Sequence, residues 1–358
     1  MRMIKIPGLI DPHVHLREPG ATYKEDWESG TTAGLAGGFT MLLAMPNTEP
    51  PILNENSYEL SDEAARNKAC LDYGIFIGAG KENITHAVNL APRAAGLKMY
   101  LDQTYGPLQL KDMSLWQQYF KVWPGNFPIA VHAERRSLAA ILLMSVLYDQ
   151  PVHICHVARK EEIQVIRAAK EKGVKVTCEV APHHMFMTED DIPQDEPGKG
   201  DVRPRLARSE DLESLWENLA VIDCFASDHA PHTLTEKTSS NPPPGFPGLE
   251  TSLFLYLNAV ADKRLSIDDL VLRMETNPRK IFKLPPQADT WIEIDPESTW
   301  EIKAANEFTR CGWTPFEGWK VKGQLKRVIL RGKTVFDGGQ VIAKPGSGCN
   351  IRLASFAD

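Results

Sequence analysis

Gly8-Leu9-Ile10-Asp11-Pro12-His13-Val14-His15-Leu16-Arg17-Glu18-Pro19-Gly20 carries an apolar run straight into a His-x-His pair. Side chains two apart on an extended strand point to one face, so His13 and His15 can reach a single metal ion together. A lone His-x-His is also common among ordinary surface histidines, and the rest of the chain has to decide. Working outward, seven more short apolar runs follow at fairly even spacing: 39–45, 73–79, 97–101, 129–133, 152–157, 174–180 and 222–227. Helix-forming segments with apolar periodicity lie between them, among them 57–69, 135–147, 160–172 and 210–219. Continuous rather than alternating apolar runs suit strands buried on both faces of a parallel sheet. Eight βα units over roughly 270 residues predict an α/β fold of the (β/α)8 TIM-barrel type. A doubly wound open sheet is the competing architecture, but no Gly-rich dinucleotide fingerprint follows any run.

Beyond a helical stretch at 277–282 the texture changes. Short strands are expected at 291–294, 300–303, 320–330 and 333–342, separated by Gly, Pro and Asp turns. The reading is a barrel over 8–285 and a small β subdomain built from 1–7 and 286–358. The Pro/Gly-rich stretch 241–248 looks most like a linker.

The 358 residues are 42% hydrophobic, enough for a large core. A net charge of -7 leaves no basic footprint for nucleic acid. No apolar segment is long enough to span a bilayer, so no membrane partner is expected, and no signal-peptide pattern opens the chain. Six cysteines without a CxxC pair fit free thiols in a reducing, cytoplasmic setting.

The polar oddities sit at the C-terminal ends of the expected strands, the rim where barrels build their sites. They are His13 and His15 on the first, Lys98 on the fourth, His132 on the fifth, His156 on the sixth and Asp228 on the eighth. Each alone has a bland reading, as a core histidine, a helix cap, or, for Lys98, an ion-pair partner of Asp228. Six such groups at matching ends of five strands are hard to explain as packing. Four imidazoles, a carboxylate and a lysine suit two borderline ions such as Zn2+, which together activate water near neutral pH and polarise a carbonyl. A protonated lysine has donors only. A buried neutral one can add CO2, and the resulting carbamate has two oxygens able to bridge two metals.

This set resembles the amidohydrolase superfamily. Within it the chain is similar to the dihydroorotases through 13–20, Met45-Pro46-Asn47-Thr48, Asp228-His229-Ala230-Pro231-His232 and Gly245-Phe246-Pro247-Gly248-Leu249-Glu250-Thr251. The likeness runs almost the whole length and extends to the dihydroorotase domain of animal multifunctional pyrimidine-synthesis proteins, notably through 152–165 and 178–184. It implies two Zn2+ ions bridged by carboxylated Lys98, with His13, His15 and Asp228 on one ion and His132 and His156 on the other. Asp228 doubles as the acid/base. Arg17 and Asn47 bind the substrate carboxylate, helped by His232, Arg203, Pro244 and Gly245. A mobile loop carrying Thr104 and Tyr105 closes over the substrate, with Tyr105 standing where Phe is expected and Gly106-Pro107 a further departure. Cys155 and Glu179 lie near the rim and either hold a third Zn2+ or serve as a core thiol and a hydrogen-bond partner.

The implied reaction is the reversible cyclisation of N-carbamoyl-L-aspartate to L-dihydroorotate. The alternatives are a hydantoinase-, dihydropyrimidinase- or allantoinase-type hydrolase, or a non-catalytic scaffold domain. Expected partners are the small-molecule substrate, a second copy in a homodimer, and other domains of a multifunctional chain.

Overall fold

The computed structural model describes residues 3–353, so residues 1–2 and 354–358 of the expected β subdomain lie outside the described residues. In chain order the strands are β1 (Ile4–Pro7), β2 (Leu9–Val14), β3 (Phe39–Ala44), β4 (Asp72–Ile75), β5 (Ile77–Gly78), β6 (Leu97–Tyr100), β7 (Ile129–His132), β8 (Val152–Ile154), β9 (Val176–Val180) and β10 (Cys224–Phe225). Four more follow: β11 (Trp291–Glu301), β12 (Lys320–Leu330), β13 (Lys333–Asp337) and β14 (Gln340–Val341).

Strands β2 to β10 form a (β/α)8 barrel whose neighbours are all parallel. β4 and β5 are one stave interrupted at Phe76. β4 pairs with β3 and β5 with β6, and the Phe76 N–H donates to the Ala44 carbonyl at 2.9 Å across the gap. Every residue of β2, β3, β4, β6 and β7 is buried, which is why these segments read as largely apolar runs, with the polar exceptions standing out. The first two intervening helices start on side-chain caps. Asp26 caps Trp27–Ala36 and Asn54 caps Glu55–Lys68, each reciprocated by a serine three residues on.

The barrel closes between its first and last staves. Val14 bridges His229 in parallel, and the His15 N–H donates to the His229 carbonyl at 2.7 Å. Buried Asp11 accepts from the backbone N–H of His13 at 3.0 Å and of Ser227 at 3.1 Å. One carboxylate therefore pins the residues that precede both halves of the rim.

A five-stranded antiparallel sheet, ordered β1-β11-β12-β13-β14, stands beside the barrel. Two details differ from the sequence reading. The segments 291–294 and 300–303 are one continuous strand, β11. Asp295 pairs with Gln324 and Thr299 with Lys322, so Pro296-Glu297-Ser298 bulge out opposite Gly323. A bulge is where a sheet tolerates a proline, and the turn-like composition disguised the strand. Conversely, 333–342 is a hairpin, because Gly338 and Gly339 take φ of +56° and +89°, the left-handed pair a two-residue turn requires. The stretch 241–248 is not a linker: Phe246 bridges His229, and the segment is woven into the rim.

The chain then returns to the barrel. Tyr73 N–H donates to the Cys349 carbonyl, and Ile351 N–H to the Tyr73 carbonyl, both at 2.9 Å. Asn350, buried, donates to Asp62 at 2.7 Å. Since Tyr73 lies near the start of β4, this tail seals the floor of the barrel, at the end opposite the rim.

One carboxyl outside the rim makes stability pH-dependent. Burial, and then the charge of Glu317, push Glu307 from 4.5 to about 7, and its Oε1 has no hydrogen-bond partner. A folded pKa above the unfolded one stabilises fully below pH 4.5, and that contribution is lost as pH rises through 7. Glu307→Gln is expected to leave the unfolding free energy near pH 5 almost unchanged. At pH 8 it should raise it by about 2 kcal/mol, after discounting for partial exposure. Urea unfolding at the two pH values checks this.

Candidate metal and substrate centre

One cavity opens at the C-terminal rim. It is lined by His13, His15, Arg17, Asn47, Thr104, Tyr105, His132, His156, Arg203, Asp228, Pro244 and Gly245, drawn from segments spread over the whole barrel. Strand-end geometry does the gathering, because parallel staves all deliver their C-terminal residues to one edge. Three of these side chains sit on strained backbone: Arg17, His156 and Asp228 have φ of 59°, 34° and 47°. Left-handed conformations in such residues persist only where the surroundings impose them, and they cluster at functional sites.

His13 Nε2 and His15 Nε2 each lie 3.3 Å from the same Asp228 oxygen. Three donor atoms of these residues fall within 4.8 Å of one another. The other ring nitrogens are held from behind. His15 Nδ1 meets the Asn47 side-chain oxygen at 2.5 Å, and His13 Nδ1 meets Glu179 Oε1. A hydrogen bond to one imidazole nitrogen fixes the tautomer and leaves the other free as a ligand. Burial is the main cause that lowers both histidines, with Lys98 second for His13, brought down to about 4, and Arg17 second for His15. Both rings are therefore neutral, the form that binds metal. Glu179 stays ionised: burial pushes it up, but His13 and His153 pull it well below the usual carboxylate range.

The second cluster faces the first. His132 Nδ1 and His156 Nε2 are 3.0 Å apart, and the His13 and His156 ring centroids are 5.2 Å apart. Burial, then the neighbouring His132, keep His156 far below its ordinary range. Lys98 is fully buried. It does not pair with Asp228; its Nζ donates to Cys155 Sγ at 2.9 Å, and among the described residues no carboxylate oxygen lies within ion-pair distance of it. Cys155, Glu179 and His13 form a further group whose donor atoms lie within 4.8 Å of one another. Burial, opposed by Lys98, pushes the Cys155 thiol up.

The donor chemistry fits divalent metal ions: neutral imidazoles, an aspartate and a buried lysine converge at one rim. Among the described residues, two groups have ligand spacing, and both use His13.

Above this floor lies a donor-rich wall. Arg17 is buried, its Nε donates to the Pro231 carbonyl at 3.1 Å, and its Nη1 has no partner. His232 Nε2 is 3.2 Å from Arg17 Nη2 and 3.1 Å from the Pro244 carbonyl. Gly245 has φ of +144°, and a Cβ there would meet the Ala230 carbonyl at 2.5 Å, so only glycine lets this strap approach the rim. Arg203 lines the cavity but is tied to Asp201. Tyr105 lies across the top, 4.8 Å from the His232 ring centroid, and its carbonyl accepts from Asn47 at 3.4 Å. His153, His183, His184 and His229 do not line the cavity. His153 supports Glu179 at 3.0 Å.

Two contributors escape sequence reasoning. Asp11 looks like one more residue of a turn before His13, and Lys24 like a surface charge ahead of a helix. Only the closed barrel shows that both are buried and turned inward.

The architecture is shared with solved structures. L-Hydantoinase (dihydropyrimidinase) from Arthrobacter aurescens superposes with a TM-score of 0.93 at 23% identity, over 97% of this chain and 88% of that one. That likeness shows the fold, a (β/α)8 barrel. The inactive dihydroorotase-like domain of the Chaetomium thermophilum CAD-like multifunctional protein superposes with a TM-score of 0.84 at 27% identity, over 98% and 100% of the two chains. The Dihydro-orotase-like family model matches residues 2–111. The dihydroorotase of Pyrococcus horikoshii is 38% identical over 96% of this chain and 83% of its own length. The chain belongs to the dihydroorotase family. It is 56% identical to the multifunctional protein CAD of Squalus acanthias over 98% of its length, and it spans 16% of that protein. It is 54% identical to the multifunctional protein pyr1-3 of Dictyostelium discoideum, again spanning 16% of it.

The hidden carboxylate behind His13 gives a direct test. Glu179→Leu, in chelator-treated protein, should lose about 3 kcal/mol of unfolding free energy because His13 and His153 are left without a buried partner. Lys175→Gln, which breaks the exposed Lys175–Asp149 pair, should change it by less than about 0.5 kcal/mol. Denaturant titration of both variants checks the contrast.

Proposed function

We propose that the chain catalyses the reversible interconversion of N-carbamoyl-L-aspartate and L-dihydroorotate in pyrimidine biosynthesis. The observation that carries this reading is the convergence of His13, His15 and Asp228 on one point, beneath a buried arginine with an unpartnered donor. Family membership supports it.

In this reading His13, His15 and Asp228 hold one Zn2+, and His132 and His156 hold a second. Lys98, carboxylated when its amine adds CO2 and releases a proton, would supply a ligand to both. Cys155 and Glu179, beside His13, would supply donors for a third ion. When bound, the ions activate a water and polarise the ring carbonyl. The chain's own residues do the rest. Arg17, with Asn47 beside it, takes the substrate carboxylate in a fork that an uncharged ring cannot use. His232 and the strap at Pro244 and Gly245 orient the ring, with Arg203 at the edge. Water adds to the ring carbonyl and the carbon–nitrogen bond breaks. Asp228 takes the proton from water and returns it to the departing nitrogen; cyclisation runs the same steps backward. Thr104 and Tyr105 exclude bulk water when the loop lies over the cavity.

The barrel, 8–285, carries this chemistry, and the β segments of 1–7 and 286–358 support it. Buried free cysteines suit a cytoplasmic setting. No described helix is long and apolar enough to cross a membrane. A homodimer belongs to the reading, and so do other domains of a longer multifunctional chain.

Metal analysis of purified protein should find at least two zinc ions per chain, and intact mass after gentle handling should show the added CO2 on Lys98. Dihydroorotate should be preferred over dihydrouracil, hydantoin and allantoin; preference for an uncharged ring defeats the substrate assignment. A chain without metal or activity supports a scaffold instead. Arg17→Gln should raise KM for dihydroorotate by about 10–100-fold, the loss of a charge-assisted hydrogen bond. Asp228→Asn should lower kcat by about 10^2–10^4-fold. Steady-state kinetics in both directions check these.

A further inference from the structure

Lys24 is almost wholly buried although it carries a charge. Its ammonium meets three groups: His232 Nδ1 at 3.0 Å, the Tyr105 hydroxyl at 3.2 Å and Glu236 Oε1 at 2.9 Å. An ammonium has three protons and no lone pair, so the three contacts use every donor it has. Burial works against its charge, but Glu236 and Tyr105 more than offset this and hold it above its ordinary range. The nitrogen facing Lys24 must therefore be an acceptor.

That requirement decides the tautomer of His232. With the proton on Nε2, Nδ1 accepts from Lys24 and Nε2–H donates to the Pro244 carbonyl. The one mismatch is then Arg17 Nη2 beside the Nε2–H, at 3.2 Å. With the proton on Nδ1, an N–H points at an ammonium and a lone pair points at a carbonyl, and only the Arg17 contact is satisfied. Double protonation is opposed by burial and by Arg17 and Lys24 on either side. The first arrangement wins by two contacts to one. The remaining mismatch sets Arg17 Nη2 against the Nε2–H, and Arg17 Nη1 keeps no partner, a donor free for an anionic group.

We propose that Lys24 is a positioning residue that locks His232 as the Nε2–H tautomer, seated on the Pro244 carbonyl beside Arg17, and tethers the loop through the Tyr105 hydroxyl. One side chain thereby couples the orientation of the imidazole to the seated position of the loop, whose tyrosine packs edge-on against that same ring. The assignment of the free Arg17 donor to a substrate carboxylate rests on the function proposed above; the tautomer and the tether do not.

The test is 15N NMR of the histidine rings in the full chain, with His232 assigned by comparison with His232→Gln. The unsubstituted protein should show a neutral His232 protonated on Nε2 with an acceptor-type Nδ1. An Nδ1-protonated or doubly protonated ring at neutral pH overturns the proposal, whatever the enzyme turns over. Lys24→Met should bring in the Nδ1–H tautomer and raise KM for dihydroorotate about tenfold, with a smaller change in kcat. Tyr105→Phe should leave the His232 signature unchanged while loosening the loop, read as faster proteolysis at 102–107. An unchanged tautomer in Lys24→Met, or a shifted one in Tyr105→Phe, overturns it. If Lys24→Met does not fold, the unsubstituted protein and Tyr105→Phe still decide. A correct tautomer without activity on dihydroorotate refutes the substrate reading alone.

Discussion

Closure of the barrel through Asp11 is the constraint on which the site depends. Its carboxylate accepts from the backbone on both sides of the seam, at His13 and at Ser227. His13 and Asp228 are far apart in the chain, yet each is one or two residues from that shared anchor. An unpaired buried carboxylate would be costly, so the seam is specified as strongly by polar satisfaction as by apolar packing. Burial, the largest influence on Asp11, outweighs the hydrogen bonds it receives and pushes it up to about 7.

The rim concentrates charge and strain that the rest of the barrel avoids. Neutral histidines are backed by Asn47 and Glu179, which settle which nitrogen points inward. Left-handed backbone at Arg17, His156 and Asp228 turns side chains off the ends of their staves and over the cavity. Such conformations cost on the order of 1–3 kcal/mol each and are sustained by the closed barrel below. Function is thus mounted on a floor of unbroken apolar ladders that can carry it.

Much of this was legible in advance, for a physical reason. A stave buried on both faces must be apolar along its length, so eight staves announced themselves, and polar residues at their ends stood out. Lys98 and His132 could be placed on strands from this alone. The partnerships could not. That Lys98 faces Cys155 rather than Asp228 depends on stave register, which no local pattern encodes. Lys24 and Asp11 lie in polar stretches whose burial appears only after long-range closure. The β11 bulge was hidden because Pro296 and its neighbours have turn composition, and the small sheet tolerates them as an excursion.

Near the end of the described residues the chain is stitched to one of the earliest staves: Cys349 N–H donates to Asp72 across a sequence separation of 277. Ring closure over such a span is entropically slow and is rewarded only once the enclosed elements are in place. The barrel's base is therefore completed late, from material far downstream of its third stave. During synthesis, the imidazole-bearing edge can begin to assemble while the opposite end still waits for its plug.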